Sequence, residues 1–199
     1  PVDFGLVFHE LVPMHDIPKI TLTEVRRQDK LSNIPAISAS IRNGILPTFS
    51  YDDVVHIDIN GANAIQKRAV SLYLEKPDET QIICATTKMV NDINKRCVAL
   101  NNSKPLKVFI EEANHYLDTE FKLHDKVMCC SNLYDHDLMN GSIGTICQVY
   151  NVMKIINNDD NDEPLSSFGK ILWDDGIERE ISLDIINALR HAYAMTIHK

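Results

Sequence analysis

Near residue 103 the hydrophobic rhythm of the chain changes, and two different kinds of structure must lie on either side. Before that point, apolar residues recur at helical spacing in stretches separated by short β-leaning runs. Phe4, Val7, Phe8, Leu11 and Val12 predict a short helix broken near Pro13. Ile34, Ile37 and Ile41 mark the stripe of a second, with Ser32 as its N-cap and Asn43-Gly44 as its end. Ala62, Ile65, Ala69, Val70 and Tyr73 mark a third, opened by Asn60 and closed at Pro77-Asp78; Val90, Ile93 and Cys97 mark a fourth, entered through Thr86-Thr87. The strand candidates Ile20-Thr-Leu22, Val54-Val-His-Ile57 and Gln81-Ile-Ile-Cys-Ala85 fall between these helices, an alternation that predicts parallel βαβ units.

After residue 103 the helical period gives way to short β-rich runs. They are Lys107-Val-Phe-Ile110, Lys126-Val-Met-Cys-Cys130, Ile143-Gly-Thr-Ile-Cys-Gln-Val149, Lys170-Ile-Leu-Trp173 and Ile177-Glu-Arg-Glu-Ile181, with a hairpin signal at Asp175-Gly176. Several short strands in about 85 residues predict a small barrel or sandwich. The last apolar run, Ala192-Tyr-Ala-Met-Thr-Ile197, reads as a buried strand returning to the first sheet. The layout expected is thus an α/β domain, residues 1–103 and 189–199, with a β-barrel, residues 104–188, inserted before its last strand.

Charge follows this division. The formal charge is −8, but residues 104–188 hold 7 basic and 16 acidic side chains, whereas residues 1–103 hold 11 and 12. A polyanion is therefore expected at the α/β part and not across the barrel, where only the Lys122 and Lys126 edge is attractive. An apolar content of 44% with 24% charged residues is ordinary for a globular chain and excludes disorder and collagen-like structure. No apolar run approaches the length of a membrane span. Five cysteines without CxxC spacing, two of them adjacent, fit a reduced, cytoplasmic setting. Because the chain begins at Pro1 without Met and stops inside an apparent element, it is expected to be a piece of a longer protein.

Several stretches carry possible chemistry. Leu22-Thr-Glu-Val-Arg-Arg-Gln28 ends a strand candidate in two guanidinium groups, suited to phosphate or to solvent. Thr86-Thr87 stands between a strand and a helix, where hydroxyls and free N–H groups can hold a phosphate or simply cap the helix. Asn140-Gly-Ser-Ile-Gly144 reads as a β-turn, and nothing matches a phosphate loop of the form GxxxxGK[ST]. Asp135-His136-Asp137 has no second cluster at metal spacing, so no metal site is expected. Trp173 and Phe168 are read as barrel core, with base stacking as the lesser alternative.

In this order the stretches resemble the C-terminal motor region of RecD-like superfamily 1B DNA helicases, the exodeoxyribonuclease V alpha subunit family. Leu22-Thr-Glu-Val-Arg-Arg-Gln28 is similar to the family's Leu-x-x-x-aromatic-Arg-Gln. Ile82-Ile-Cys-Ala-Thr-Thr-Lys88 with Asn91 and Asn94 is similar to its strand-Pro-Thr-Asn-helix segment. His124-Asp-Lys-Val-Met128, Asn132, Tyr134 and Asn140-Gly-Ser-Ile-Gly144 are similar to its Gly-Asp-Arg-Val-Met, Asn-x-Tyr and Asn-Gly-Asp-x-Gly run. Leu189-Arg-His-Ala-Tyr-Ala-Met-Thr-Ile-His-Lys199 is similar to its Leu-x-x-Ala-Tyr-Ala-x-Thr-x-His-Lys. Arg26, Ala85 and His124 depart from the pattern, replacing an aromatic, a proline and a glycine.

The resemblance implies a second RecA-like domain of P-loop NTPase type, a parallel sheet with helices on both faces, interrupted by a small SH3-like barrel. It implies a 5′ to 3′ ATP-dependent helicase in which Arg27 is catalytic. Arg27 and Gln28 would face ATP and Mg2+ held mainly by the first RecA-like domain of the same chain. It places Thr86, Thr87, Lys88, Asn91, Asn140, Thr196, His198 and Lys199 on single-stranded DNA, with nuclease-complex subunits as further partners and no membrane. The fragment alone is expected to be inactive as an ATPase. Two other readings come from the residues themselves: a non-enzymatic interaction module on an α/β scaffold, favoured by the acidic insert, and a hydrolase using a Cys/His pair.

Overall fold

The computed structural model describes residues 7–20, 31–47, 51–110, 114–156 and 165–196. The chain divides into two compact units, one ending at Asp58 and one beginning at Ile59.

The first unit contains α1 (Val7–Leu11) and α2 (Ile34–Arg42). The cap position of α2 falls at Asn33, one residue after the expected Ser32, and the Asn33 side chain makes no capping bond, while Ser32 Oγ accepts from Ile34 N at 3.3 Å. The Asp53 carboxylate also gathers the start of the helix, accepting from Ser32 Oγ at 3.0 Å, Asn33 N at 2.7 Å and Asn33 Nδ2 at 2.9 Å. These bonds, that from the Asn33 side chain foremost, hold the Asp53 carboxyl below its usual range. The helix ends where expected, with Gly44 at φ +71°.

The strand expected over residues 54–57 is not formed. Val54 makes only an isolated antiparallel bridge to Tyr51, and the following residues lack regular structure. A β-leaning triplet needs a layer to cover it, and Val55 is 75% exposed. Of the run Ile20-Thr-Leu22, only Ile20 lies within the described residues, and it is irregular.

The second unit opens with α3 (Ala62–Glu75), preceded by Gly61, not Asn60, at the cap position. Its inner stripe is Gln66, Val70 and Tyr73, narrower than the expected one, with Ile65 turned outward. β1 (Ile82–Ile83) leads into α4 (Thr87–Leu100). The far end of the chain supplies β9 (Ala194–Met195), which pairs in parallel with β1: Ile82 opposite Ala194, Ile83 opposite Met195. Val70, Tyr73, Ile82, Ile93, Cys97 and Tyr193 form the core beneath this pair. Among the described residues it is the one parallel pairing, so the several parallel βαβ units expected from the sequence are reduced to two short strands.

Between α4 and β9 every pairing among the described residues is antiparallel. β2 (Pro105–Ile110) and β3 (His115–Lys122) pair with each other; β4 (Lys126–Cys129), β5 (Ile143–Ile156), β6 (Leu165–Trp173), β7 (Glu178–Glu180) and β8 (Leu189–His191) form a five-stranded sheet in the order β7-β6-β5-β4-β8. A short α5 (Leu183–Ala188), capped by Ser182 Oγ accepting from Ile185 N, precedes β8. Leu106, Phe121, Val127, Ile146, Phe168 and Trp173 lie in one core, which removes Trp173 and Phe168 from any base-stacking role. The hydrogen-bonded ladders remain two separate sheets, so the SH3-like closure implied by the resemblance is not seen among the described residues.

Candidate nucleic-acid interface

Two parallel strands that end side by side deliver their following residues to one edge. Cys84 N donates to Met195 O at 2.8 Å, so the chain leaves β1 toward Thr86 just where it leaves β9 toward Thr196. Thr86 is extended (φ −133°, ψ 146°), and its side chain accepts from Met89 N at 3.3 Å, the cap read from the sequence. One capping bond leaves the N–H groups of Thr87 and Lys88 without intrahelical acceptors, and they point out of the helix at this edge. Thr86, Thr87, Lys88 and Asn91 are exposed, and Thr196 is half-buried. The Lys88 ammonium sits 3.5 Å from Asp92 with its side chain 89% exposed, a pairing too wet to hold it back from an anion.

What fixes this edge is polar structure around two amides, the motif residue Asn94 and Gln81. Asn94, on the inner face of α4, donates from Nδ2 to His191 O (2.9 Å) and Ala194 O (3.2 Å) and accepts from Ala194 N at 2.8 Å. Gln81 donates to Ala192 O and Tyr193 O at 3.1 and 3.2 Å. Both amides act as spacers that match the main chain of the last strand. The signals available for them are the second asparagine of the motif, about two turns into α4, and an amide just before β1.

Asp125 is the deepest charge of the second unit, with no exposed surface. Burial by itself raises a carboxyl's pKa; hydrogen bonds from His191, Tyr193, Asn101 and the Lys122 N–H outweigh it and leave the Asp125 pKa lowered. The same contact and burial push the Tyr193 phenol strongly upward. Burial lifts Tyr73, which meets Tyr193 edge-on at 5.6 Å, to about 12.

Other sequence candidates stand elsewhere. Asn140 is exposed on the turn closed by Ser142 N to Met139 O at 3.0 Å, and Asn140 N donates to Asn132 Oδ1 at 2.8 Å. That turn adjoins Cys129, which pairs with Leu189, while Thr196 lies at the opposite end of the run from Leu189, so the strands do not bring Asn140 to the threonine edge. Lys122 and Lys126 are not a free basic edge: Lys122 Nζ donates to Asn101 O (2.6 Å) and Val98 O (3.3 Å) at the end of α4, and Lys126 Nζ to Thr80 O (3.3 Å). Arg27, Gln28, His198 and Lys199 lie outside the described residues.

None of the five cysteines forms a disulfide, and burial raises Cys84, Cys147 and, to about 11, Cys97, which makes these three poor nucleophiles. Among the described residues no three metal-ligating side chains converge, and no helix is long and apolar enough to cross a membrane. A cleft of about 590 Å³ between α3 and α4, floored by Val70, Leu74 and Leu100, contains none of the candidate residues.

No family model matches the sequence. Among solved structures the chain is similar to one described as Pif1 helicases coordinating DNA unwinding at forked dsDNA, with 17% identity and a TM-score of 0.48 over 89% of this chain and 40% of that one. It is also similar to Pif1 helicase from Bacteroides in complex with ADP-AlF3 and ssDNA, with 16% identity and a TM-score of 0.47 over 90% of this chain and 42% of that one. The chain thus spans about two fifths of the length of these structures.

Proposed function

We propose that this chain is the second motor domain of an ATP-dependent DNA helicase and that the edge shared by β1 and β9 grips single-stranded DNA by its phosphates. The observation that carries this reading is the meeting of Thr86, Thr87 and Thr196 at the ends of two adjacent parallel strands, beside the first turn of α4. The carboxyl ends of parallel strands are where α/β sheets bind ligands, and a helix N-terminus supplies unpaired N–H groups and a partial positive charge. Hydroxyls and N–H groups there hold phosphates without reading bases, as a motor that moves along any sequence requires.

The finer reading rests on the motifs. In it, residues 1–103 and 189–199 form the RecA-like domain and residues 104–188 a barrel insert. Arg27, with Gln28, reaches ATP and Mg2+ bound by a first motor domain in a longer protein, and stabilises charge in the transition state. Lys88, Asn91, His198 and Lys199 extend the DNA contact, translocation runs 5′ to 3′, and the fragment alone hydrolyses no ATP. Placement in the RecD-like branch and association with nuclease subunits belong to the same reading.

The test is equilibrium binding of the 199-residue chain to a labelled oligothymidylate across a salt series. Thr87→Ala with Thr196→Ala is expected to weaken binding about tenfold, roughly the worth of one or two neutral hydrogen bonds, and to do so equally for other base sequences. Unchanged affinity in that variant, or a loss confined to one sequence, contradicts the reading.

A further inference from the structure

Asp125 has no place in the chemistry above, yet its carboxylate is completely buried and completely used. Oδ1 accepts from Tyr193 Oη at 2.6 Å and from Asn101 Nδ2 at 2.6 Å. Oδ2 accepts from Lys122 N at 2.7 Å and lies 3.1 Å from His191 Nε2. A carboxylate offers about four lone-pair sites, so no position is left for a ligand or a proton acceptor. Its role must lie in what it joins.

The four partners come from four segments: the end of β3, the C-terminal cap of α4, the edge strand β8, and the residue just before β9. Two of these lead directly to the phosphate edge. Tyr193 precedes the β9 residue that pairs with Ile82, and Thr196 follows two residues after that one. Asn101 terminates the helix that begins at Thr87, fourteen residues of continuous α-helix. Asp125 therefore holds the far end of α4 and the near end of β9 on one oxygen, Oδ1. Asn94 ties the middle of α4 to β9, leaving Asp125 as the second point needed to fix their relative direction.

We infer that Asp125 is a positioning residue for the phosphate grip: by holding Tyr193 and Asn101 together it sets the spacing of Thr196 from Thr87. The inference rests on the reading that these threonines hold phosphate. With the clamp intact, both hydroxyls meet neighbouring phosphates at once. With it loosened, each threonine still binds, but the two no longer match one backbone.

The test uses the 199-residue chain and three substitutions. Tyr193→Phe removes one bond and keeps the ring against Tyr73. Asp125→Asn puts an NH2 where donors already point. Ile181→Ala, in the core of the antiparallel sheets, where its main chain bonds Phe168 and Gly169 and no clamp residue, supplies a comparable loss of stability. Binding to labelled oligothymidylate is measured well below each variant's Tm, together with amide hydrogen exchange at Cys84 and Ala194, whose N–H groups bond Met195 O and Asn94 Oδ1. Tyr193→Phe and Asp125→Asn are expected to weaken binding about tenfold and to speed exchange at both amides, while Ile181→Ala binds like the parent.

Equal losses in all three, or unchanged affinity in the clamp variants, overturn the inference. Should the parent chain fail to bind DNA, the phosphate reading fails by itself. Exchange at Cys84 and Ala194 then decides the positioning claim, which unchanged rates in Asp125→Asn overturn.

Discussion

At the scale of single residues, two adjacent positions, His124 and Asp125, carry the strongest constraints. His124 adopts φ +69°, a left-handed conformation that costs an ordinary L residue roughly 1 kcal/mol or more, and its N–H donates to Ile146 O at 2.8 Å. The resembling family has glycine there, and the backbone explains why. Replacing His124 with Gly is expected to raise stability by roughly 0.5–1 kcal/mol, after allowing for the greater freedom of glycine in the unfolded chain. The midpoint of urea unfolding reads this directly, and an unchanged or lower midpoint shows that the imidazole contributes more than the strain it bears. Asp125 gives a pH signature. Because its pKa is lower folded than unfolded, its contribution to stability is fully present above the unfolded value, about 4, and is lost as pH falls through the folded value. Asp125→Ala, which strands four buried donors, is expected to cost about 3–5 kcal/mol near neutrality and to flatten the acid limb of stability against pH. An acid limb as steep as the parent's moves that role to other carboxylates. Sequence reading named Asp125 only inside a motif, because nothing in a lone Asp distinguishes a buried clamp from a surface charge.

At the scale of elements, legibility followed burial on one face. The start of α4 was readable to within a residue because Ile93 and Cys97 are buried and Thr86 is a true cap. β3 was missed because His115–Lys122 is mostly exposed along its length, so its alternation carries little apolar signal. The strand expected at 54–57 erred in the other direction: Val54, Val55 and Ile57 have β propensity, and among the described residues no strand pairs along them. Six-residue α5 is too short to show a period, and only Ser182 could have announced it. The Asn140–Gly144 motif resolves into two separate demands. Gly141 turns at φ +100°, whereas at Gly144 a Cβ would stand 2.6 Å from Ile171 Cγ2 and 2.9 Å from Leu172 O. Gly144→Ala is therefore expected to destabilise by roughly 1–3 kcal/mol, the range for overpacking a tight core, as measured by thermal unfolding. A variant as stable as the parent would show that β5 and β6 can separate at this point. These two glycines serve the turn and the sheet, and Asn140 is left exposed and apart from the threonine edge.

At the scale of the whole molecule, the change of texture at residue 103 was a sound guide to a mixed α/β chain, and its first half promised more parallel sheet than the described residues contain. The short β1–β9 pair brings together residues more than 110 positions apart, and periodicity cannot reveal such a pairing. The apolar run at 192–197 could be read as a strand returning to the first sheet, but not which strand it would lie beside. The acidic surplus of residues 104–188 fits an account in which DNA meets the parallel edge and leaves the antiparallel sheets aside. The measurement that tests the account most directly is a titration of ATPase rate against single-stranded DNA in the longer protein proposed to carry this domain. The account predicts a DNA-stimulated rate in the parent. It predicts that Arg27→Ala lowers the saturated rate by about 10³ with the half-saturating DNA concentration unchanged. Thr87→Ala with Thr196→Ala is predicted to raise that concentration about tenfold while largely keeping the saturated rate. No DNA-stimulated hydrolysis in the parent, or normal turnover in Arg27→Ala, would contradict it.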